Sequence, residues 1–122
     1  MPTPITVVVA EGEGLVRMAA ADALSAEGYA VFEAANSEEA LTILRAHAAD
    51  VHVLFTDVHM PGAMDGIALA HYAGRSWPWI GVIITSGIAL SHGTGFPANS
   101  RFLPKPYALW DVIGHVQQLT AR

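Results

Sequence analysis

Cysteine is absent from the 122 residues, which removes disulfides, cysteine-ligated zinc and thiol catalysis from consideration. Charge is scarce: 14% of the chain is charged, against roughly 25% in an average domain. Basic residues are scarcer still. Six Lys and Arg stand against eleven Asp and Glu, a formal net charge of −5, which speaks against a phosphate-backbone binder. No direct contact with nucleic acid is expected, and Lys105 is the only lysine. Long apolar runs are also missing. The longest, at residues 5–10 and 51–55, fall far short of the ~20 residues a spanning helix needs, so no membrane span is expected. The opening MPTPITVVVA has neither a basic n-region nor a small-residue cleavage pattern, so no signal peptide is expected and the cytoplasm is the expected compartment.

What the chain does have is apolar bulk. Hydrophobic residues make up 52% of it, enough to bury a full core and to exclude disorder. One domain over residues 1–122 is expected from this length. Short β-branched runs at 5–10, 29–34, 51–56, 79–85 and 101–103 read as strands. Between them lie helix-period segments. Residues 14–27 place Val16, Ala19, Ala20, Ala23 and Leu24 on one face, with Gly28 as the stop. Asn36 and Glu39 have capping-box spacing before a stripe of Ala40, Leu41, Leu44 and Ala48. A short helix is expected around 67–73. A last one, about 107–120, carries Leu109, Val112, Ile113, Val116 and Leu119 on its inner face, with Trp110 beside that stripe. Residues 86–100 contain Gly87, Gly93, Gly95 and Pro97, so the helix there should be short or disordered and mobile. Alternating strands and helices give an α/β fold with a parallel sheet covered on both faces; periodicity alone leaves two strand orders open.

Four strands hand over to a polar residue at their carboxyl ends: Glu11, Asp57, Thr85 and Lys105. Ligands of open parallel sheets bind outside those ends. Singly, each has a plain explanation: a loop carboxylate, a threonine finishing a strand, a solvent-facing lysine. Four at one edge point to a pocket.

With these residues in place the chain resembles the receiver domains of response regulators in two-component signalling, over essentially its whole length. The matching segments are VVVAEGEGLVR, LFTDVHMPGAMDG, VIITSG and RFLPKPY. The resemblance implies a flavodoxin-like five-stranded sheet in the order 2-1-3-4-5. It implies that Asp57 accepts a phosphoryl group from a sensor histidine kinase or histidine phosphotransfer protein, as a stoichiometric acceptor rather than an enzyme. Thr85 and Lys105 would contact the phosphoryl oxygens. Mg²⁺ would be held by Glu11, Asp57 and the backbone carbonyl of His59, with Glu13 as a further candidate. The His59 side chain would tune access of hydrolytic water. Phe102 falls at the aromatic switch position, where a plain core phenylalanine is the other reading. Lys105-Pro106 would be a cis peptide. Output would run through a downstream protein partner, and a homodimer could form through the fourth helix, fifth strand and last helix. The other histidines, at 47, 52, 71, 92 and 115, read as surface or satisfied residues.

The sequence departs from the pattern at Gly12, where receivers usually carry a second acidic residue. Losing that carboxylate should weaken Mg²⁺ binding and leave room for a water. The competing reading is therefore a divergent receiver that binds partners independently of phosphorylation. A third, an Asp-nucleophile phosphatase or a flavin protein, lacks both a second Asp two residues after Asp57 and a phosphate-cradling loop after the first strand.

Overall fold

The computed structural model describes residues 3–87 and 96–121. Five strands, β1 (Thr6–Ala10), β2 (Ala30–Ala34), β3 (Val51–Asp57), β4 (Gly81–Ser86) and β5 (Ser100–Pro104), form one parallel sheet in the order β2-β1-β3-β4-β5. Four helices are described: α1 (Gly14–Ala26), α2 (Ser37–His47), α3 (Gly66–Ser76) and α4 (Leu109–Thr120). This is the flavodoxin-like order, with the chain reversing direction across the sheet between β1 and β3. The short or disordered helix expected within 86–100 falls on residues 88–95, outside the described residues.

Strand alternation builds two cores. Val7 and Val9 of β1, Val53 and Phe55 of β3 and Ile83 of β4 point to one face, where Ala20 and Leu24 of α1 and Val112 and Val116 of α4 cover them. Val8, Ala10, Leu54, Val82 and Ile84 point to the other, under Ala40, Leu41 and Leu44 of α2 and Leu69, Ala70 and Ala73 of α3. The central strands are therefore apolar on both sides, and their sequences read as unbroken runs rather than alternations.

Local rules set the ends. Gly28 takes φ +92°, the left-handed stop expected of it. Tyr29 N–H reaches Leu24 O at 3.2 Å and Gly28 N–H reaches Ser25 O at 3.0 Å, closing α1 in a Schellman motif. Asn36 caps α2 by accepting from Glu39 N–H at 2.8 Å. The capping box is half made as expected, because Glu39 reaches back to Ala35 N–H at 2.8 Å instead of Asn36. Asp65 caps α3 by accepting from Ala68 N–H at 2.9 Å, so α3 starts earlier and runs longer than expected.

Two expectations about faces need correction. In α1 the buried positions are Ala20, Ala21 and Leu24, while Ala19 is exposed. The helix is turned so that Arg17 tucks against the first loop (Nη1 to Glu11 O, 2.8 Å), which carries Ala21 inward and Ala19 outward. In α4, Leu109 is 37% exposed because it opens the helix at the rim of a groove rather than lying over the sheet. Trp110, expected beside the apolar stripe of α4 rather than in it, is 75% exposed and lies outside the core.

Candidate functional site

The parallel sheet brings four polar residues to one edge. Asp57 ends β3, and its Cα pairs in register with Thr85 on β4. The ladder continues as Val58 N–H donates to Thr85 O at 3.0 Å. Glu11 follows β1, its N–H tied to Ala34 O at 3.0 Å, and Lys105 follows β5, its N–H tied to Ser86 O at 3.0 Å. The Lys105-Pro106 bond is cis, as expected.

These side chains meet. Lys105 Nζ donates to Asp57 Oδ2 at 2.9 Å and lies 3.5 Å from Glu11 Oε1. Both carboxylates are buried, each residue 5% exposed. Burial raises the Glu11 pKa, opposed by the Glu13 N–H it accepts from and reinforced by the neighbouring Asp57. Burial also works against charge on Lys105, but the Asp57 and Glu11 carboxylates outweigh it and raise its pKa. A cation between two desolvated anions stays charged. Thr85 is 1% exposed and its Oγ1 has no hydrogen-bond partner among the described residues, a buried donor at the same strand edge.

The mouth is a cavity of about 310 Å³ lined by Glu11, Gly12, Glu13, Asp57, His59, Pro61, Gly87 and Lys105. His59 is exposed beside it, and its N–H faces Asp57 Oδ1 at 3.4 Å. Glu13 is exposed at the rim as the residue preceding α1, and its side chain caps nothing. Phe102 pairs with Ile84 in register but is 37% exposed; the core-phenylalanine reading does not hold. Of the remaining histidines, His52 Nδ1 accepts from Thr6 N–H at 3.1 Å and His47 stacks on Phe32 at 4.7 Å. His115 departs from the expectation: its Nδ1 is buried on α4 without a partner among the described residues. His92 lies outside the described residues.

Hard cations take oxygen ligands, and two carboxylates plus backbone carbonyls suit one, with a carboxylate fewer than usual at Gly12. Among the described residues no group of three or more His, Asp or Glu converges to hold a metal. The space expected at Gly12 is also smaller than its missing side chain implies. A Cβ there would lie 3.1 Å from Pro61 Cδ.

Sequence reasoning passed over the residues that brace this edge. Gly66 N–H donates to Val58 O at 2.9 Å, and a Cβ at Gly66 would be driven into the Asp57 carbonyl. Gly62, at φ +106°, sits against the Glu38 carboxylate, which also accepts from Ala63 N–H at 3.3 Å. The dipeptide Asp65-Gly66 is a turn signal that could have flagged the first of these.

The family model of the response regulator receiver domain matches residues 7–115. The chain belongs to that family. Receiver domains act in two-component signalling as phosphoacceptors. The chain is 37% identical over 117 residues to the sensor kinase CckA of Brucella abortus (strain 2308), covering 93% of this chain and 12% of the kinase. It is 30% identical over 122 residues to the transcriptional regulatory protein PdtaR of Mycobacterium tuberculosis (strain CDC 1551 / Oshkosh), covering 98% of this chain and 58% of that protein. The chain thus spans less than two thirds of either relative. The crystal structure of the receiver domain from the hybrid histidine kinase CckA superposes with a TM-score of 0.74 at 35% identity, covering 93% of this chain and 97% of that one. No helix among the described residues is long and apolar enough to cross a membrane.

Proposed function

We propose that residues 1–122 act as one cytoplasmic receiver unit in which Asp57 accepts a phosphoryl group from a sensor histidine kinase or histidine phosphotransfer protein. The observation that carries this reading is the Lys105 ammonium held between Asp57 and Glu11, beside a Thr85 hydroxyl unpartnered among the described residues. An Asp57 oxygen forms the new bond to phosphorus as the donor's bond breaks, leaving an acyl phosphate. Lys105 then turns its charge to a phosphoryl oxygen, and Thr85 donates to another. Bound Mg²⁺ would neutralise charge on the transferring group. Glu11, Asp57 and the His59 carbonyl would hold it, with Glu13 at the rim. The His59 side chain stands where it can obstruct water, and Phe102 is the residue whose packing would report the modified site. The chain is a stoichiometric acceptor, not a catalyst of turnover.

Partner surfaces follow from exposed apolar groups. A groove of about 760 Å³ runs from Lys105 and Glu13 past Leu15, Val16, Ala19, Tyr107 and Leu109. It is contiguous with the phosphorylation pocket and suits the phosphodonor protein. Phe102 and Trp110 lie on β5 and α4, the elements through which a downstream partner or a second copy would dock.

Gly12 favours a second reading, a module that works without phosphorylation because its Mg²⁺ affinity is low. Beryllofluoride with Mg²⁺ separates the two, because it mimics a phosphoryl group on a competent carboxylate. Amide spectra of the native chain should shift at Asp57, Thr85 and Lys105, and Asp57→Asn should abolish the shifts. Unchanged native spectra at millimolar Mg²⁺ would favour the second reading.

A further inference from the structure

Glu11 meets Lys105 from a loop, Glu11-Gly12-Glu13-Gly14, with two glycines in four residues. Such a sequence has wide backbone freedom, yet Glu11 is fastened at three points. Its N–H donates to Ala34 O at 3.0 Å. Its Oε2 accepts from Glu13 N–H at 2.9 Å. Its carbonyl accepts from Arg17 Nη1 at 2.8 Å. The first two use backbone donors that any sequence supplies. The third depends on one side chain.

Arg17 is itself oriented from a different strand. Its Nε faces Glu33 Oε1 on β2 at 3.3 Å, with the arginine side chain 21% exposed and the glutamate 44% exposed. Its backbone N–H closes the first turn of α1 on Glu13 O at 2.9 Å. One guanidinium therefore ties together β2, the start of α1 and the loop between β1 and α1. We propose that Arg17, oriented by Glu33, is a positioning residue that holds the Glu11 carboxylate beside Lys105 and Asp57. Its consequence for rate rests on the phosphoacceptor reading of Asp57.

The physical reason is that Gly12 leaves Glu11 as the carboxylate that shares Lys105 with Asp57. Slack in Glu11 passes directly to the ammonium and the nucleophile. A charge-assisted bond to the carbonyl of a 5% exposed residue resists that slack, and little water can replace it.

The test uses Arg17→Ala, Arg17→Lys and Glu33→Gln in the full chain, with two readouts. In metal-free protein, the Glu13 amide signal reports its bond to the Glu11 carboxylate. With acetyl phosphate and Mg²⁺, intact mass reports the phosphorylation rate. Arg17→Ala should displace or broaden the Glu13 amide and slow phosphorylation about tenfold, the scale of a sub-ångström misplacement. Arg17→Lys should recover most of both, and Glu33→Gln should cost about twofold to threefold, as a half-exposed ion pair does. A Glu13 amide unmoved in all three variants, with only the melting temperature lowered, would overturn the proposal. If the native chain takes up no phosphate, the functional reading fails while the amide still decides the positioning role. If Arg17→Ala does not fold, unmoved amides in Arg17→Lys and Glu33→Gln overturn it equally.

Discussion

At the scale of single residues, the site is defined as much by what Gly12 lacks as by what Asp57 has. A carboxylate placed there adds an oxygen donor and a negative charge, so Gly12→Asp should tighten Mg²⁺ by about tenfold, near 1.4 kcal/mol. Its Cβ meets Pro61 Cδ at 3.1 Å, so the proline must give way by a few tenths of an ångström. Gly12→Asp with Pro61→Ala should therefore gain more than Gly12→Asp alone. Without metal, three carboxylates crowd Lys105, and the variant should melt below the native chain. A Mg²⁺ titration with paired melting curves checks both directions; equal affinities would mean that another ligand already fills the position.

His115 gives the pH dependence. Burial lowers its pKa from the ordinary 6.5, helped by Arg101 and opposed by Asp111. A depressed folded pKa means the unfolded chain binds the proton more readily. The stability held by neutral His115 is thus complete above about pH 6.5 and is lost as the pH falls below it. His115→Gln should lose less melting temperature between pH 7 and pH 5 than the native chain. Parallel pH profiles would remove His115 as the cause.

At the scale of elements, glycines divide by what a methyl group would meet. Gly66 opens α3 directly against the Asp57 backbone, so Gly66→Ala must push α3 off β3. It should cost at least about 2 kcal/mol and lower the melting temperature by roughly 8 °C. Gly114 sits inside α4 with nothing among the described residues within 4 Å of its would-be Cβ. Gly114→Ala should raise stability by about 0.5–1 kcal/mol, the helix preference for alanine. Thermal melts of the pair check the contrast, and a harmless Gly66→Ala would contradict the packing described.

Elements also show how much was legible in the sequence. Apolar runs marked all five strands because the inner strands are covered on both faces, and Gly28 and Asn36 marked helix ends through local bonds. Glu11, Asp57, Thr85 and Lys105 were legible because a parallel sheet carries its strand ends to one edge. Arg17, Glu33 and Glu38 were not, since the Arg17–Glu33 and Glu38–Ala63 contacts join residues distant in sequence that only the folded chain brings near. The rotation of α1 was missed for a related reason: an alanine-rich helix has a weak apolar stripe, and neighbouring elements decide which side turns inward. Leu109 was missed because periodicity does not show that the first residue of α4 falls at a groove rim.

At the scale of the whole molecule, the strand order places β1 and β3 side by side at the centre, with β4 and β5 following. Glu11, Asp57, Thr85 and Lys105 are then neighbours across consecutive strands, although Glu11 and Lys105 lie far apart in sequence. The same arrangement leaves α1 and α4 adjoining the pocket, with Leu15 84% exposed and Trp110 75% exposed beyond it. A phosphodonor docking on that groove would bring its phosphoryl group to Asp57 without disturbing the sheet.

Intact mass after incubation with acetyl phosphate and Mg²⁺ tests the role of Asp57 most directly. The native chain should gain one phosphoryl group, ~80 Da, labile to hydroxylamine as an acyl phosphate is, and Asp57→Asn should gain nothing. An unmodified native chain, or the same gain in Asp57→Asn, would contradict it.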